Sequence, residues 1–375
     1  MSIPYGKPNV SSEDIAEVNK VLKSGWLSTG PKVEEFEKKF SEYVNSEYAI
    51  AVNSGTAALE LAVQALDLKE GDEVITTPLT FMATTNAILY SGGNPVYADI
   101  SKDTYNINPE EIKKKITNKT KAIICVDYAG HPCDLNEIKK IAKENNLILI
   151  EDAAHSIGGE YKREKIGSIA DITTFSFHPV KNMTTGEGGM ITTNNKEIKE
   201  KISLLRNHGM NKNDKLFENK PSWAYNTNRL GRNFRLTDFQ CALGISQLKR
   251  LDDFVKRKSE VVEKYNQAFI NNPKIKIPEV KENIKHAWHI YPCLIENRDK
   301  VIQELNNQGI GANVLYIPTY HFTYHQKRLN INKEEYPVTE EVFKKLIALP
   351  LFSSITDEEV NKVIEKVNKI TNHES

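Results

Sequence analysis

Residues 121–153 read KAIICVDYAGHPCDLNEIKKIAKENNLILIEDA: an apolar run, a charged stretch of helical character, and a second apolar run ending in two carboxylates. A run such as KAIICV, without polar alternation, is a strand buried on both faces. Two such strands joined by a helix are the unit from which parallel sheets with helices on either side are built. The same alternation extends upstream through YAIAV (48–52), DEVITT (72–77) and NPVYADI (94–100), and two more strands fit around 171–175 and 189–193. KEIKEKISLLRNHG closes this region as a helix ending at Gly209. The expected class is α/β with a large, mostly parallel central sheet.

Two helices precede the sheet. VSSEDIAEVNKVLKSGW carries a serine cap, acidic residues in its first turn, Ile15, Val18, Val21 and Leu22 at helical spacing, and Gly25 after its last turn. GPKVEEFEKKFSEYV starts the second, with Pro31 near its first turn. Downstream, LTDFQCALGISQLKRLDDFVKRKSEVVEKYNQAF reads as one long helix with an apolar stripe and a charged face. HIYPCLI, VIQELNNQG, GANVLYI and two amphipathic segments near 336–372 follow, the makings of a smaller α/β domain. The expected division is 1–235 for a large domain that includes the N-terminal helical segment, and 236–375 for the linking helix and the small C-terminal domain. The polar stretch 211–228 reads as a loop.

The chain of 375 residues balances 50 Lys+Arg against 50 Asp+Glu, so it has no basic excess for nucleic acid. Its four cysteines, Cys125, Cys133, Cys241 and Cys293, form no Cys-x-x-Cys pair, which argues against a disulfide framework or a zinc site. The start MSIPYGKPNV has no signal-peptide pattern, and no window of about 18 residues is apolar enough to span a membrane. A cytoplasmic protein with no metal and no membrane partner is expected.

Four stretches, each at a predicted strand end, carry chemistry that packing alone does not ask for. AVNSGTAAL places Ser54, Gly55 and Thr56 at a helix start, where backbone N–H groups and hydroxyls hold a phosphate or simply cap the helix. ILIEDAAHS ends a strand on Glu151 and Asp152. Asp152 either meets a cation, such as a protonated pyridine nitrogen, or caps the following turn. TTFSFHPVKNMTTGEGGM brings Ser176, His178 and Lys181, and a desolvated lysine loses its proton and condenses with an aldehyde, whereas most lysines are solvated surface charges. GRNFRLTDF offers Asn233 and Arg235 to a phosphate of this subunit or a neighbour, or forms a plain turn capped by Asp238. With Phe81, in TTPLTFMATTN, as an aromatic cover, these parts make up the inventory that pyridoxal phosphate demands.

Together SFHPVKNMTTGEGGM, EDAAHS, NSGTAAL, TFMATTNA and GRNFRLTDFQCALGISQLKRLDDF resemble the DegT/DnrJ/EryC1/StrS sugar aminotransferases, over residues 3–368 or so. The resemblance implies a fold-type I pyridoxal-phosphate enzyme, with Lys181 as the Schiff-base lysine and Asp152 as partner of the pyridinium nitrogen. It makes Phe81 the stacking residue, with Ser54, Gly55, Thr56 and Ser176 at the phosphate. It puts His155 near the cofactor's phenolic oxygen and Asn233 at the phosphate of the opposite subunit, which implies a homodimer with shared sites. Dehydratases of the family carry histidine in place of the lysine, so Lys181 favours transamination. Arg232 departs from the apolar residue that many members place before the asparagine.

IPYGKP, SGWLSTGP, DYAGHPCD and GANVLYIP most resemble the branch that aminates C4 of UDP-linked 4-keto-6-deoxy-N-acetylhexosamines on the route to pseudaminic acid; perosamine synthases share SGWLSTGP-like stretches. That resemblance places Tyr5, Gly25, Trp26, Leu27, Ser28, Tyr316, Ile317, Pro318 and Thr319 around the nucleotide sugar, with L-glutamate as amino donor. A nicotinamide-dependent sugar-nucleotide enzyme would need a Gly-x-Gly-x-x-Gly turn, which VNSGTAAL is not. A sugar-nucleotide-binding regulator that had lost the chemistry would lack Lys181 or Asp152, and both are present.

Overall fold

The computed structural model describes residues 2–211 and 221–372. The seven runs become strands β1 (Tyr48–Val52), β2 (Glu73–Thr76), β3 (Asn94–Tyr97), β4 (Thr120–Val126), β5 (Ile148–Asp152), β6 (Ile172–Ser176) and β7 (Gly189–Thr193). They pair in the order β1-β7-β6-β5-β4-β2-β3. β7 runs antiparallel to both neighbours, and the other pairs are parallel. The segment joining β6 to β7 contains no crossover helix, so the chain doubles back instead of returning to the same end of the sheet.

Both faces of the sheet are covered. Along β4, Ala122 and Ile124 pack with the helix Gly55–Gln64, while Ile123 and Cys125 pack on the opposite side with Phe36, Phe40, Ile138 and Ile141. That explains why the strand shows no polar alternation: every position faces a hydrophobic layer. Beyond the sheet, Ile275–Lys276, Tyr291–Ile295 and Leu346–Leu349 form a second, antiparallel sheet. It packs with the helices Leu251–Phe269, Arg298–Asn307 and Asp357–Asn372 around Tyr265, Phe269, Tyr291 and Ile347. Ile3 joins this second core and pairs with Ile310, so the N-terminus ends beside the C-terminal half of the chain.

Three expectations change in detail. The long helix is two, Asp238–Leu248 and Leu251–Phe269, because Arg250 leaves helical geometry (φ −107°, ψ 2°). Its guanidinium turns back to Asp14, 2.5 Å away and fully buried, while Gln247 donates to the same carboxylate at 2.7 Å. GANVLYI forms only a single bridge, Asn313 to Ala348, and then leaves the sheet to carry Tyr316 to the cavity described below. Residues 212–220 of the 211–228 loop lie outside the described residues, and Met210–Asn211 and Asn226–Thr227 at its ends pair as a short antiparallel ribbon.

On the first helix, Ser12–Ser24, Ser11 and Asp14 form a reciprocal capping box and Gly25 takes the left-handed φ of 78°. Its apolar stripe divides: Val21 is buried, whereas Ile15 and Leu22 are 55% and 50% exposed. Trp26 and Leu27, just past the helix, are exposed as well. Among the described residues no helix is long and apolar enough to cross a membrane.

Candidate active site

The C-terminal ends of β1, β2, β5 and β6 open into one cavity of about 460 Å³. It is lined by Tyr5, Ser54, Gly55, Thr56, Phe81, Asp152, His155, Ser176, Lys181 and Tyr316, all singled out above, together with Thr84 and His289, which were not. Ser54, Gly55, Thr56, Phe81, Asp152, Ser176 and Lys181 come together because they follow strands whose C-terminal ends share one edge of the sheet, while Tyr5, His289 and Tyr316 reach the cavity from other parts of the chain.

Asp152, last residue of β5, is 5% exposed. Thr84 donates to its Oδ2 at 2.8 Å and the Ala154 N–H to its Oδ1 at 3.2 Å. Thr80 in turn bonds Thr84 at 2.9 Å. Burial raises the Asp152 carboxyl, against the two hydrogen bonds and the charge of Lys181. Among the described residues no cation pairs with it within 4 Å, so this buried anion has room for a cationic partner from a ligand.

Lys181 sits in a turn fixed from several sides. Its own N–H bonds His178 O at 2.9 Å, Phe177 closes on Gly188 at 2.9 Å, and Thr184 caps Phe177 O at 2.8 Å. Asn182 donates to Ala287 O at 2.8 Å and Ile157 O at 3.2 Å. Glycine is required at 188, since a Cβ there would collide with the Thr185 hydroxyl. Lys181 keeps part of its surface, open to the cavity, but its surroundings desolvate the amine. Burial pushes it down to about 8, with Asp152 pulling the other way. An amine so placed is a nucleophile near neutral pH.

Ser54 caps the helix Gly55–Gln64 by accepting from Ala57 N at 3.0 Å, so the cap reading of this turn holds in the structure. The Gly55 and Thr56 N–H groups at that helix start still face the cavity end of the dipole, where an anion is favoured. A Cβ on Gly55 would approach the Ser176 Cβ to 2.7 Å, so glycine lets the Ser176 hydroxyl meet this turn. Phe81 is half-exposed beside Tyr316, their ring centroids 5.6 Å apart.

His155 bonds the Tyr316 hydroxyl through Nε2 at 3.0 Å and packs 4.2 Å from the ring of His289. Its Nδ1 is buried with no partner among the described residues. Burial, then the charge of Lys181, holds both imidazoles well below their usual range, hence neutral. An enclosed carboxylate awaiting a cation, a free imidazole nitrogen, a half-exposed aromatic ring and a helix start together fit pyridoxal phosphate.

Other predicted residues lie elsewhere. Gly25, Trp26, Leu27 and Ser28 are exposed and do not line the cavity, and neither do Ile317, Pro318 or Thr319. Thr319 is fully buried, donating to the Tyr97 hydroxyl at 2.8 Å and, through its N–H, to Pro78 O at 2.9 Å. Asn233 is exposed and bridges Asn207, while Arg232 pairs with Glu60 at 3.0 Å.

A sequence model of the DegT/DnrJ/EryC1/StrS aminotransferase family matches residues 8–368. The chain belongs to this family. It is 46% identical to the uncharacterized protein MJ1066 of Methanocaldococcus jannaschii, over 98% of this chain and 97% of that one. It is 40% identical to a UDP-4-amino-4,6-dideoxy-N-acetyl-beta-L-altrosamine transaminase of Campylobacter jejuni, over 87% of each chain. A GDP-perosamine synthase of Escherichia coli O157:H7 is 34% identical over 98% of both. Helicobacter pylori PseC, an aminotransferase involved in the biosynthesis of pseudoaminic acid, superposes with a TM-score of 0.94 at 33% identity over the whole of both chains.

This DegT-family member is therefore a pyridoxal-phosphate-dependent sugar aminotransferase with the α/β architecture of its relatives. Thr84 and His289 went unread in the sequence. Thr84 sits three residues past Phe81 in TFMATTN, and a hydroxyl one helical turn beyond the stacking candidate was the available signal. His289 offered none, because only tertiary folding brings it beside His155.

Proposed function

We propose that this aminotransferase moves an amino group from L-glutamate to C4 of a nucleotide-linked 4-keto-6-deoxy sugar, with UDP-2-acetamido-2,6-dideoxy-β-L-arabino-hexos-4-ulose as its substrate. The observation that carries the chemistry is that Lys181 and Asp152 line one cavity with Phe81 and the Ser54–Thr56 turn. The sugar is supported by the likeness to the altrosamine transaminase and to PseC.

Bound there, the cofactor supplies an aldehyde for amines and a ring that accepts electrons from a substrate carbon. Asp152 would hold a proton on the ring nitrogen. The Gly55 and Thr56 N–H groups and Ser176 would hold the phosphate, Phe81 would cover the ring, and the unpartnered His155 Nδ1 would serve the phenolic oxygen. Lys181 anchors the cofactor through Nζ. With the cofactor bound, the Lys181 Nζ would be the group that takes up and gives back the donor's α-carbon proton, a role that its lowered basicity, about 8, permits near neutral pH. The half-reaction releases 2-oxoglutarate, and its reverse on the keto sugar leaves the amine at C4.

Tyr5 and Tyr316 face the sugar from within the chain. Asn233 and the exposed segment 25–28 serve a second copy of the chain, in a homodimer with shared sites. A cytoplasmic location and a surface-glycan destination complete the reading.

The test is an absorption spectrum of the protein with pyridoxal phosphate. A yellow band that bleaches with L-glutamate and returns with the UDP-linked keto sugar supports the proposal. Return only with GDP-linked 4-keto-6-deoxymannose moves the assignment to the perosamine synthase reading, which the E. coli relative favours.

A further inference from the structure

Lys258, on the helix Leu251–Phe269, is 3% exposed, and no carboxylate lies within ion-pair distance among the described residues. Among the described residues its Nζ donates to Asn182 Oδ1 at 2.8 Å, the residue after Lys181. Lys258, Lys181 and Asn182 line one narrow void behind the main cavity, too small for more than a single water. Two lysines thus share an enclosure, and the carboxylate that acts on Lys181 there is Asp152.

We propose that Lys181 and Lys258 hold a single proton between them, Lys258 staying neutral while Lys181 is charged and taking up a proton when that charge is lost. The ordinary fate of a buried amine with one neutral acceptor is to stay unprotonated, and a second ammonium nearby adds repulsion to the desolvation cost. The two causes act in that order on Lys258, bringing it down to about 7.

The other groups around it do not supply a counter-charge. His155 and His289 are neutral, His178 is exposed, and Lys7, at the rim of the void, is a further cation. Gln247, also on the void, binds the Asp14 carboxylate, but Arg250 already neutralises that group. The consequence is an enclosure of nearly constant charge. Each time the proposed chemistry strips Lys181 of its proton, Lys258 draws one from solvent, so the positive charge that an anionic cofactor meets does not collapse. Lys258 is a positioning residue in this account, acting through Lys181 and Asn182 without touching substrate.

The experiment is a pH titration of the cofactor-free protein with ¹⁵Nζ-labelled lysine, read by NMR at Lys258. In Lys181→Met the Lys258 midpoint rises by about one pH unit or more, the coupling at which two sites titrate as a pair. In Lys181→Arg, which keeps a permanent charge at that place, it stays at or below the native value. A midpoint unmoved by Lys181→Met, or moved equally by both variants, overturns the shared proton. Should Lys181→Met fold poorly, Lys181→Gln, which also removes the charge, must raise the Lys258 midpoint in the same way; an unmoved midpoint there overturns the proposal too. None of these readings depends on transamination, so they are separable from failure of the proposed reaction.

Discussion

Thr84 Oγ1 stands 2.8 Å from Asp152 Oδ2 and is itself bonded to Thr80, so a chain of two hydroxyls from the far side of β2 orients the carboxylate at the tip of β5. Burial alone would drive Asp152 toward its neutral form; the hydroxyl works against that by favouring the anion. Thr84→Val keeps the shape and removes the donor. A hydrogen bond to a charged group is worth about 1.5–3 kcal/mol, so pyridoxal phosphate binding should weaken roughly tenfold or more, measured by absorbance titration. Native affinity in Thr84→Val would remove Thr84 from the site.

How far the sequence carried the reading depends on whether a residue's neighbours are local or distant. Lys181, Asp152, Ser54 and Phe81 were legible because a parallel sheet delivers every strand end to one edge, so a chemical residue just after an apolar run points to that edge. Lys258 was not, since on its helix it looks like one more charged residue, and only the packing of that helix against the Asn182 turn buries it. The single long helix expected from the sequence became two because a distant carboxylate, Asp14, captures Arg250. Ile15 and Leu22 obeyed helical spacing, but spacing identifies an apolar face and not what covers it.

That uncovered face makes a prediction about assembly. Ile15 and Leu22 on the helix Ser12–Ser24, and Trp26 and Leu27 in the following segment assigned to the sugar site, are all close to half exposed or more. Leu22→Asp puts a charge into the contact of the proposed homodimer without touching the core. The variant should sediment as a monomer and lose transaminase activity while keeping its helical circular dichroism. A variant that sediments like the native protein would place the dimer contact elsewhere.

A second buried acid pair sets the acid side of the stability profile. Asp127 and Glu151 are both fully buried; Ser156 bonds Asp127 at 2.5 Å and Thr173 bonds Glu151 at 2.9 Å. Burial raises Asp127 to about 6, and burial together with the Asp127 charge holds Glu151 well above the carboxylate range. Folded pKa values above the unfolded ones mean that the native state binds more protons, so stability falls as pH rises from about 4 through 6. Glu151→Gln copies the protonated form. It should flatten that fall, read as the denaturation midpoint in urea between pH 4 and 8; an unchanged slope would show that Glu151 does not carry the proton.

Lys258 governs the alkaline side with the opposite sign. Its native value of about 7 lies below that of an unfolded lysine, near 10.4. Between those limits the unfolded chain binds the extra proton, so native stability rises with pH across the window, and below about 7 the full cost of the buried amine is present. Lys258→Met replaces the amine with an apolar chain of similar length and leaves Asn182 with its two donor bonds to Ala287 and Ile157. The variant should be more stable than the native protein at pH 7, by at least about 1 kcal/mol, since a tenfold change in proton affinity is worth about 1.4 kcal/mol. The advantage should shrink steadily toward pH 10. Urea midpoints at pH 7, 8.5 and 10 measure it, and a variant less stable than native at all three values would mean that Lys258 is charged and paired in the folded protein.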